Sequence, residues 1–139
     1  MGETIFAKII SKEIPADIVF ESDKVLAFKD IKPQAPVHVL IIPKDTGIPT
    51  IKDLDSAKHA ELLGAMIDAA NKIAKDLGVS EDGFRLVINC GANGGQDVYH
   101  LHMHLLGGRQ MSRRPPARRW PDTSHRRSSA GRRCTWSRA

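Results

Sequence analysis

Short apolar runs separated by turn residues recur along the chain, and they predict a β-sheet. The runs cover residues 18–20, 25–28, 38–43 and 84–88. The run at 38–43 is strongly apolar, so we expect it at the centre of the sheet. Short connections between successive strands favour antiparallel pairing. With the histidine segment described below, the pattern predicts a meander of about five strands.

Two further segments have helical periodicity. Residues 4–13 carry apolar side chains at helical spacing, which predicts a short helix with Thr4 as its N-cap. Residues 56–77 carry an apolar stripe with a period of about 3.6 residues, which predicts a long helix from Ser56, ended by Gly78. The expected fold class is therefore α+β: an antiparallel meander sheet with both helices on one face.

Composition is that of an ordinary globular protein. Of the 139 residues, 41% are hydrophobic and 27% are charged. No apolar run is long enough to span a membrane, and the first residues lack the pattern of a signal peptide. With only two cysteines, a disulfide framework is not indicated. A cytoplasmic protein without a membrane partner is expected.

The net charge of +5 is unevenly distributed. Residues 1–108 hold eleven basic and fifteen acidic side chains, whereas residues 109–139 hold ten arginines and a single acid. This predicts a folded domain over residues 1–111 and an Arg/Ser/Pro-rich basic tail over residues 112–139. The tail is either disordered or the product of a shifted reading frame. If it is genuine, its charge is suited to nucleic acid.

Three histidines, His100, His102 and His104, alternate with apolar residues. On a strand such residues share one face of the sheet. They could attack phosphorus as a nucleophile, bind zinc as three ligands, or form the polar face of an exposed strand. The preceding glycines, Gly91 and Gly95 among them, predict a loop whose N–H groups bind phosphate. That loop favours phosphate chemistry over a bare metal.

Residues 96–109 resemble the signature of the histidine triad (HIT) hydrolases: three alternating histidines followed by two apolar residues. The similarity covers residues 4–111 and is greatest to the Hint branch, the nucleoside phosphoramidases. It implies a HIT-fold homodimer that needs no metal or other cofactor. The implied reaction is hydrolysis of purine nucleoside phosphoramidates, or related adenylates, to the nucleoside monophosphate. His104 distinguishes the chain from relatives with Gln there, which are nucleotidyl transferases.

The resemblance implies a role for each histidine. His102 would be the nucleophile that attacks the α-phosphate and becomes nucleotidylated. His104 would contact the phosphate and the leaving group. His100 and His38 would form a hydrogen-bonded relay that holds the imidazoles, although His38 taken by itself is more typical of a buried core histidine.

The resemblance also implies which residues bind the substrate. The phosphate and the ribose side would be held by Asn89, Gly95 and Gln96. The purine and ribose pocket would be formed by Phe28, Asp30 and Ile31, with Asp30 bonding the ribose hydroxyls. Phe28 and Ile31 are equally consistent with core packing.

The chain departs from the family pattern at Asp97, where many eukaryotic relatives have a serine that contacts phosphate. An inward-facing carboxylate would repel phosphate, so Asp97 is left out of the expected site. Two other functions are compatible with the motif. One is hydrolysis of dinucleoside polyphosphates, and the other is a nucleotide-binding regulatory module with little turnover.

Overall fold

One antiparallel sheet of five strands organises the fold. The computed structural model describes residues 4–112, and among them the strands are β1 Ile18–Glu21, β2 Val25–Lys29, β3 Val37–Pro43, β4 Phe84–Val87 and β5 Met103–Gly107. The helices are α1 Ile5–Ile10 and α2 Ala60–Asp76, with a 3-10 turn at Ile51–Asp53. The predicted α+β class is confirmed, and β3 is the central strand as expected.

The order of the strands differs from a simple meander at one place. Strands β1, β2 and β3 follow one another, but β5 then lies between β3 and β4. The chain leaves β3 through α2 and enters β4 at the outer edge, and β5 fills the position between them. This order makes β5 the direct neighbour of β3, so that Leu40 pairs with His104.

The two helices cover opposite faces of the sheet, so the expectation of helices on one face is wrong. Alternate strand residues form two separate apolar clusters. One packs with α2 and includes Val25, Ala27, Val39 and Ile41. The other packs with α1 and includes Leu26, Phe28, Leu40 and Ile42. Because both faces are covered, these strands are apolar throughout instead of alternating with polar residues.

The three histidines do not share a strand. Only His104 lies within β5, whereas His100 and His102 precede it in an irregular segment. The backbone N–H of Leu101 donates to the carbonyl of Ile48 at 2.9 Å, so this segment is bonded to the loop after β3. Residues 100–103 are all buried, unlike the half-exposed strand that alternation predicts.

The helix starts differ in how well the sequence predicts them. The Thr4 hydroxyl accepts the N–H of Ala7 at 3.1 Å, so the predicted N-cap of α1 is confirmed. The predicted start of α2 at Ser56 is wrong, because this helix begins at Ala60. Ser56 lies in a turn held by the preceding residue, since the Asp55 carboxylate accepts a backbone N–H two residues further on at 2.9 Å.

The end of α2 is where the sequence predicts it. Gly78 follows the helix with φ of +77°, a conformation that glycine adopts without steric cost. Its N–H bonds the carbonyl of Lys75 at 3.2 Å, and Val79 N–H bonds Ala74 at 2.9 Å. These two bonds satisfy carbonyls that the helix end would otherwise leave unpaired.

No helix among residues 4–112 is long and apolar enough to cross a membrane. Residues up to Arg109 form one compact unit. Apart from Ser112, the basic tail predicted over residues 112–139 lies outside the described residues. Its order, its origin, its boundary with the domain and its binding of nucleic acid stay predictions.

The two helix starts give a paired test of stability. We expect Thr4→Ala to lower the free energy of unfolding by about 1 kcal/mol, because it removes the cap of α1. Ser56→Ala should change it by less than about 0.5 kcal/mol, since Ser56 caps no helix. Urea denaturation of the two variants beside the parent protein measures both values. Equal losses of unfolding free energy in the two variants would contradict the assignment of Thr4, and not Ser56, as a helix cap.

Candidate active site

Two histidines meet where β3 and β5 pair. His38 is opposite Leu106 and His104 is opposite Leu40, so both side chains lie on the face of the sheet that α1 covers. His38 Nε2 and His104 Nδ1 are 2.9 Å apart, a hydrogen-bond distance. The pairing of two central strands therefore fixes this contact.

The backbone around His38 determines which ring nitrogens carry protons. The N–H of Gln34 donates to His38 Nδ1 at 3.0 Å, so that nitrogen is an acceptor and the neutral ring is protonated at Nε2. Nε2–H then donates to His104 Nδ1, which leaves the proton of neutral His104 on Nε2. Arg109 supports the same loop by donating to the Gln34 carbonyl at 3.0 Å. The result is a one-directional chain that ends in a donor on His104.

Burial favours the neutral form of these two rings. It lowers the pKa of His38, although the Asp30 carboxylate raises it, with Asp30 Oδ2 3.4 Å from His38 Nε2. Burial also lowers the pKa of His104, and nearby His102 and His38 lower it further. Neutral rings are the protonation state that the chain from Gln34 requires.

His102 has the complementary protonation pattern. Its Nδ1 lies 2.8 Å from the backbone carbonyl of His100. A carbonyl oxygen can only accept, so Nδ1 of neutral His102 carries the proton and Nε2 keeps a lone pair. The ring is held edge-on by Phe6 at a centroid distance of 5.0 Å and is 5.2 Å from the ring of His104. The site thus places a ring with a free lone pair beside a ring with a free N–H.

His100 holds the histidine segment to the end of β3. It is 1% exposed, and its Nε2 donates to the Pro43 carbonyl at 2.9 Å. The relay expected between His38 and His100 is therefore wrong. His38 bonds His104 instead, because His38 and Pro43 lie at opposite ends of β3, about 17 Å apart along an extended strand.

The positions expected to form the purine and ribose pocket have different environments. Phe28 is 4% exposed and packs edge-on against Phe6 at 5.6 Å, which fits the core-packing alternative. Ile31 is 90% exposed and is free to contact a ligand. Asp30 lies beside His38, with one carboxylate oxygen taken by the N–H of Lys32 at 2.8 Å. The other oxygen faces His38.

Asn89 follows β4 near the histidines. Val87, two residues earlier and the last residue of β4, pairs with His104, which places the end of this strand beside that histidine. Asn89 is partly buried, and its side chain makes no hydrogen bond to another residue within 4–112. It is therefore free to bind a substrate oxygen.

A cleft of about 180 Å³ borders the site without containing its centre. Asp30 and His38 line one side of it, but His102 and His104 do not take part. Other lining residues, Val37 and Val39, face α2. The cleft therefore does not mark the place where His102 would react.

The glycine loop before the histidines is closed by its own hydrogen bonds. Gly94 and Gln96 donate their N–H groups to the Gly91 carbonyl at 3.2 and 3.0 Å, and Gly95 donates to Ala92 at 3.1 Å. Gly95 adopts a φ of +81° to complete the turn. The expected phosphate nest from these N–H groups is therefore wrong, because their donors are already paired.

The Gln96 side chain is also fully occupied by the protein. It is 6% exposed. Its amide oxygen accepts the N–H of Gly91 at 2.9 Å, and its amide nitrogen donates to Pro49 at 2.8 Å and to Val98 at 3.0 Å. The expected contact between this side chain and the substrate does not fit its environment.

Phe6 and Asp97 act on the histidines, although neither is among the site residues expected from the sequence. The ring of Phe6 contacts those of His100 and His102, which follows from the packing of α1 over this face and has no sequence signal. Asp97 is exposed, yet its charge raises the pKa of His104 against the effect of burial. The departure from the family pattern at Asp97 was the available signal.

The grouping of metal-ligating atoms differs from the three-histidine zinc interpretation. Among residues 4–112, Asp30, His38 and His104 bring one ligand atom each within 4.8 Å of the others. Two ligand atoms of a tetrahedral zinc ion lie about 3.3 Å apart, so His38 Nε2 and His104 Nδ1, which are 2.9 Å apart, would have to separate. His100 and His102 bond backbone carbonyls instead.

The HIT domain family is identified by sequence. The model of the family described as "HIT domain" matches residues 11–111. This chain belongs to the HIT domain family. The Escherichia coli (strain K12) purine nucleoside phosphoramidase is 59% identical over 109 residues, covering 78% of this chain and 90% of the relative. The resemblance to the histidine triad family and its Hint branch is confirmed.

Further relatives of this HIT domain have other names. The Arabidopsis thaliana adenylylsulfatase HINT1 is 55% identical over 109 residues, covering 78% of this chain and 74% of the relative. A Brassica juncea 14 kDa zinc-binding protein is 54% identical over 110 residues, covering 79% and 96%. The crystal structure of a HIT family hydrolase from Legionella pneumophila Philadelphia 1 superposes with a TM-score of 0.75 at 54% identity, covering 78% and 95%.

The buried histidines predict how the stability of this HIT domain depends on pH. Burial lowers the pKa of His38, His100 and His104 below the ordinary value of 6.5. The unfolded chain therefore binds more protons than the folded one just below that pH, and folding stability falls as pH decreases through this range. We expect a lower Tm at about pH 5.5 than at about pH 7.5.

His100→Gln tests the same point with one titrating ring removed. The glutamine amide can still donate to the Pro43 carbonyl, the contact that His100 makes at 2.9 Å. We expect this variant to lose less Tm than the parent protein over the same pH interval, measured by calorimetry. An identical loss would show that His100 does not contribute to the pH dependence.

Proposed function

We propose that this HIT domain is a nucleotide hydrolase in which His102 attacks phosphorus. The observation that carries the proposal is the bond from His102 Nδ1 to the His100 carbonyl, which leaves Nε2 with a lone pair. The proposed substrates are purine nucleoside phosphoramidates or related adenylates. Relatives named purine nucleoside phosphoramidase and adenylylsulfatase support that class.

The reaction proceeds in two displacements. In the first, His102 Nε2 bonds the α-phosphorus while the bond from phosphorus to the leaving amine breaks, and the amine takes a proton from Nε2 of the imidazolium form of His104, which becomes the neutral ring. In the second, water attacks the phosphorus and returns a proton to His104 as the bond to His102 breaks. The sum is addition of water and release of an amine and a nucleoside monophosphate.

Neighbouring groups assist each displacement. The His100 carbonyl, 2.8 Å from His102 Nδ1, stabilises the positive charge that His102 acquires when Nε2 is nucleotidylated. The phosphoryl oxygens need donors, and the N–H groups of Asp97 and Val98 make no hydrogen bond to residues 4–112. They are therefore the proposed donors, together with the amide of Asn89.

The nucleoside is proposed to lie against the loop after β2. Ile31 offers an exposed apolar surface for the purine, and the Asp30 carboxylate offers an acceptor to the ribose hydroxyls. Phe28 supports this loop from the core. This arrangement leaves the phosphate on the α1 face, where His102 and His104 lie.

A metal-dependent hydrolase is the second candidate. The grouping of Asp30, His38 and His104 within 4.8 Å supports it, as does the name of the Brassica juncea zinc-binding relative. Zinc held there would replace the hydrogen bond between the two histidines. It would supply Lewis-acid chemistry when bound.

Hydrolysis of adenosine phosphoramidate distinguishes these candidates. We expect His102→Ala to lower kcat/KM by about a thousandfold or more, because it removes the proposed nucleophile. His59→Ala is the matched control, since His59 lies at the start of α2, away from the triad. We expect activity to survive EDTA, and activity abolished by EDTA and restored by zinc would instead support the metal candidate.

Two other outcomes of this assay would indicate a different function. Faster turnover of a dinucleoside polyphosphate than of the phosphoramidate would indicate the other large HIT branch. Tight AMP binding without turnover in the unmodified protein would indicate a regulatory nucleotide-binding module.

A homodimer and a cytoplasmic location are further parts of this proposal. Strand β4 is at the edge of the sheet, where an unpaired strand can bond a second copy. Leu86 of this strand is 36% exposed and Ile67 of α2 is 46% exposed. An edge strand next to exposed apolar side chains favours pairing between two copies of this chain.

Light scattering after gel filtration tests the dimer. We expect the parent protein to have the mass of two chains. Leu86→Asp should shift it to one chain, because a charge buried in the interface costs several kcal/mol. Ile51→Asp is the control, since Ile51 is also exposed, at 39%, but lies in the 3-10 turn away from β4. A dimer that persists in Leu86→Asp would place the interface elsewhere.

A further inference from the structure

Three hydrogen bonds join the segment before β5 to the last residue of β3 and to the loop that follows it. His100 donates to Pro43, Leu101 donates to Ile48, and Gln96 donates to Pro49. Two of these bonds come from the histidine motif itself. The third comes from Gln96, which lies five residues before Leu101.

The Gln96 amide also binds its own loop on both sides. It accepts from Gly91 at the start of the loop and donates to Val98 at the end, at 2.9 and 3.0 Å. Every bond is made inside the protein, and the side chain is 6% exposed. A buried amide with all these partners fixes the positions of the backbone groups that it bonds, because breaking these bonds would leave buried polar groups unpaired.

The residues that follow Gln96 are linked to the reacting rings, Val98 through Phe6 and Asp97 through its charge. Val98 packs in the apolar cluster that contains Phe6, and the ring of Phe6 is 5.0 Å from that of His102. Asp97 is close enough to His104 for its charge to act on that ring. The two backbone N–H groups proposed as phosphate donors therefore belong to residues next to Gln96.

We propose that Gln96 is a positioning residue, whose buried amide ties the loop of residues 91–98 to Pro49 and so sets where Asp97 and Val98 stand beside His102 and His104. This inference rests on the proposed function. His100 keeps its bond to the end of β3 and Leu101 keeps its bond to the loop after it, so loss of the Gln96 amide displaces the loop and leaves the nucleophile in place.

Gln96→Met is the variant that tests this role, because methionine keeps the length of the side chain and makes none of the three hydrogen bonds. We expect kcat for adenosine phosphoramidate to fall by about ten- to a hundredfold, the effect of misplacing groups around a reacting phosphoryl centre. Inhibition by adenosine, which has no phosphate, should be unchanged, whereas inhibition by AMP should weaken.

Hydrogen exchange gives a readout that does not depend on activity. Backbone amides of residues 91–98 should exchange faster in Gln96→Met than in the parent protein, while those of β3 and β5 exchange at the parent rate. Unchanged exchange in this loop would overturn the proposal. If His102→Ala retains full activity, the proposed function fails, and the exchange measurement still decides whether Gln96 holds the loop.

Gln96→Glu adds a test by partial rescue. A glutamate at this position faces the carbonyl oxygens of Pro49 and Val98, so it can donate to them only when protonated. The activity of this variant relative to the parent protein at the same pH should rise as pH is lowered toward about 5.5. A ratio that is independent of pH would count against the hydrogen bond to Pro49.

A general loss of stability is controlled by variants in the opposite cluster. Ile73→Val and Ile73→Ala reduce packing under α2, where Ile73 is 1% exposed. Because they remove different numbers of buried methyl groups, they lower the Tm by a smaller and a larger amount. At a temperature where all variants are folded, we expect both to keep the parent kcat. If they lose activity in proportion to Tm as Gln96→Met does, Gln96 acts on stability alone and the proposal is wrong.

Discussion

The hydrogen bond between His38 and His104 depends on β5 lying beside β3, and most of the site follows from that neighbour relation. Two residues 66 positions apart in the chain approach to 2.9 Å, because the pairing of the strands places them diagonally on one face. The long connection through α2 and β4 is what brings β5 back to the centre of the sheet. The architecture and the protonation pattern of the site are therefore parts of one arrangement.

Burial of neutral imidazoles has a cost that the site offsets with backbone hydrogen bonds. Three of the rings have a backbone partner: Gln34 for His38, Pro43 for His100, and the His100 carbonyl for His102. The partner of His104 is the ring of His38. These partners are rigid because they belong to the ends of strands or to bonded loops. Each bond also selects one tautomer, so the same contacts that make burial tolerable decide which nitrogen can attack and which can donate.

Local features of the sequence predicted local features of the structure. The cap at Thr4, the stop at Gly78 and the central position of β3 depend on a few neighbouring residues, so they are readable from the chain alone. The protonation of His102 depends on its distance from a carbonyl, and the partner of His38 depends on strand order, which no local pattern contains. The alternation at His100–His104 was misleading because apolar burial on both sides and a backbone bond to Ile48 replaced the expected strand.

The closed glycine loop changes where charge can be stabilised. Since Gly94, Gly95 and Gln96 bond within the loop, their donors do not face a phosphate, and the site depends on its histidines and on the residues after Gln96. Burial, His102 and His38 lower the pKa of His104, whereas Asp30 and Asp97 raise it. Burial is the largest of these effects and the pKa of His104 is lowered overall, while Asp30 and Asp97 favour the protonated form that the proposed donation to a leaving amine needs. The carboxylate at Asp97, unfavourable for phosphate binding taken alone, thus partly offsets the effect of burial on the ring that is proposed to protonate the leaving group.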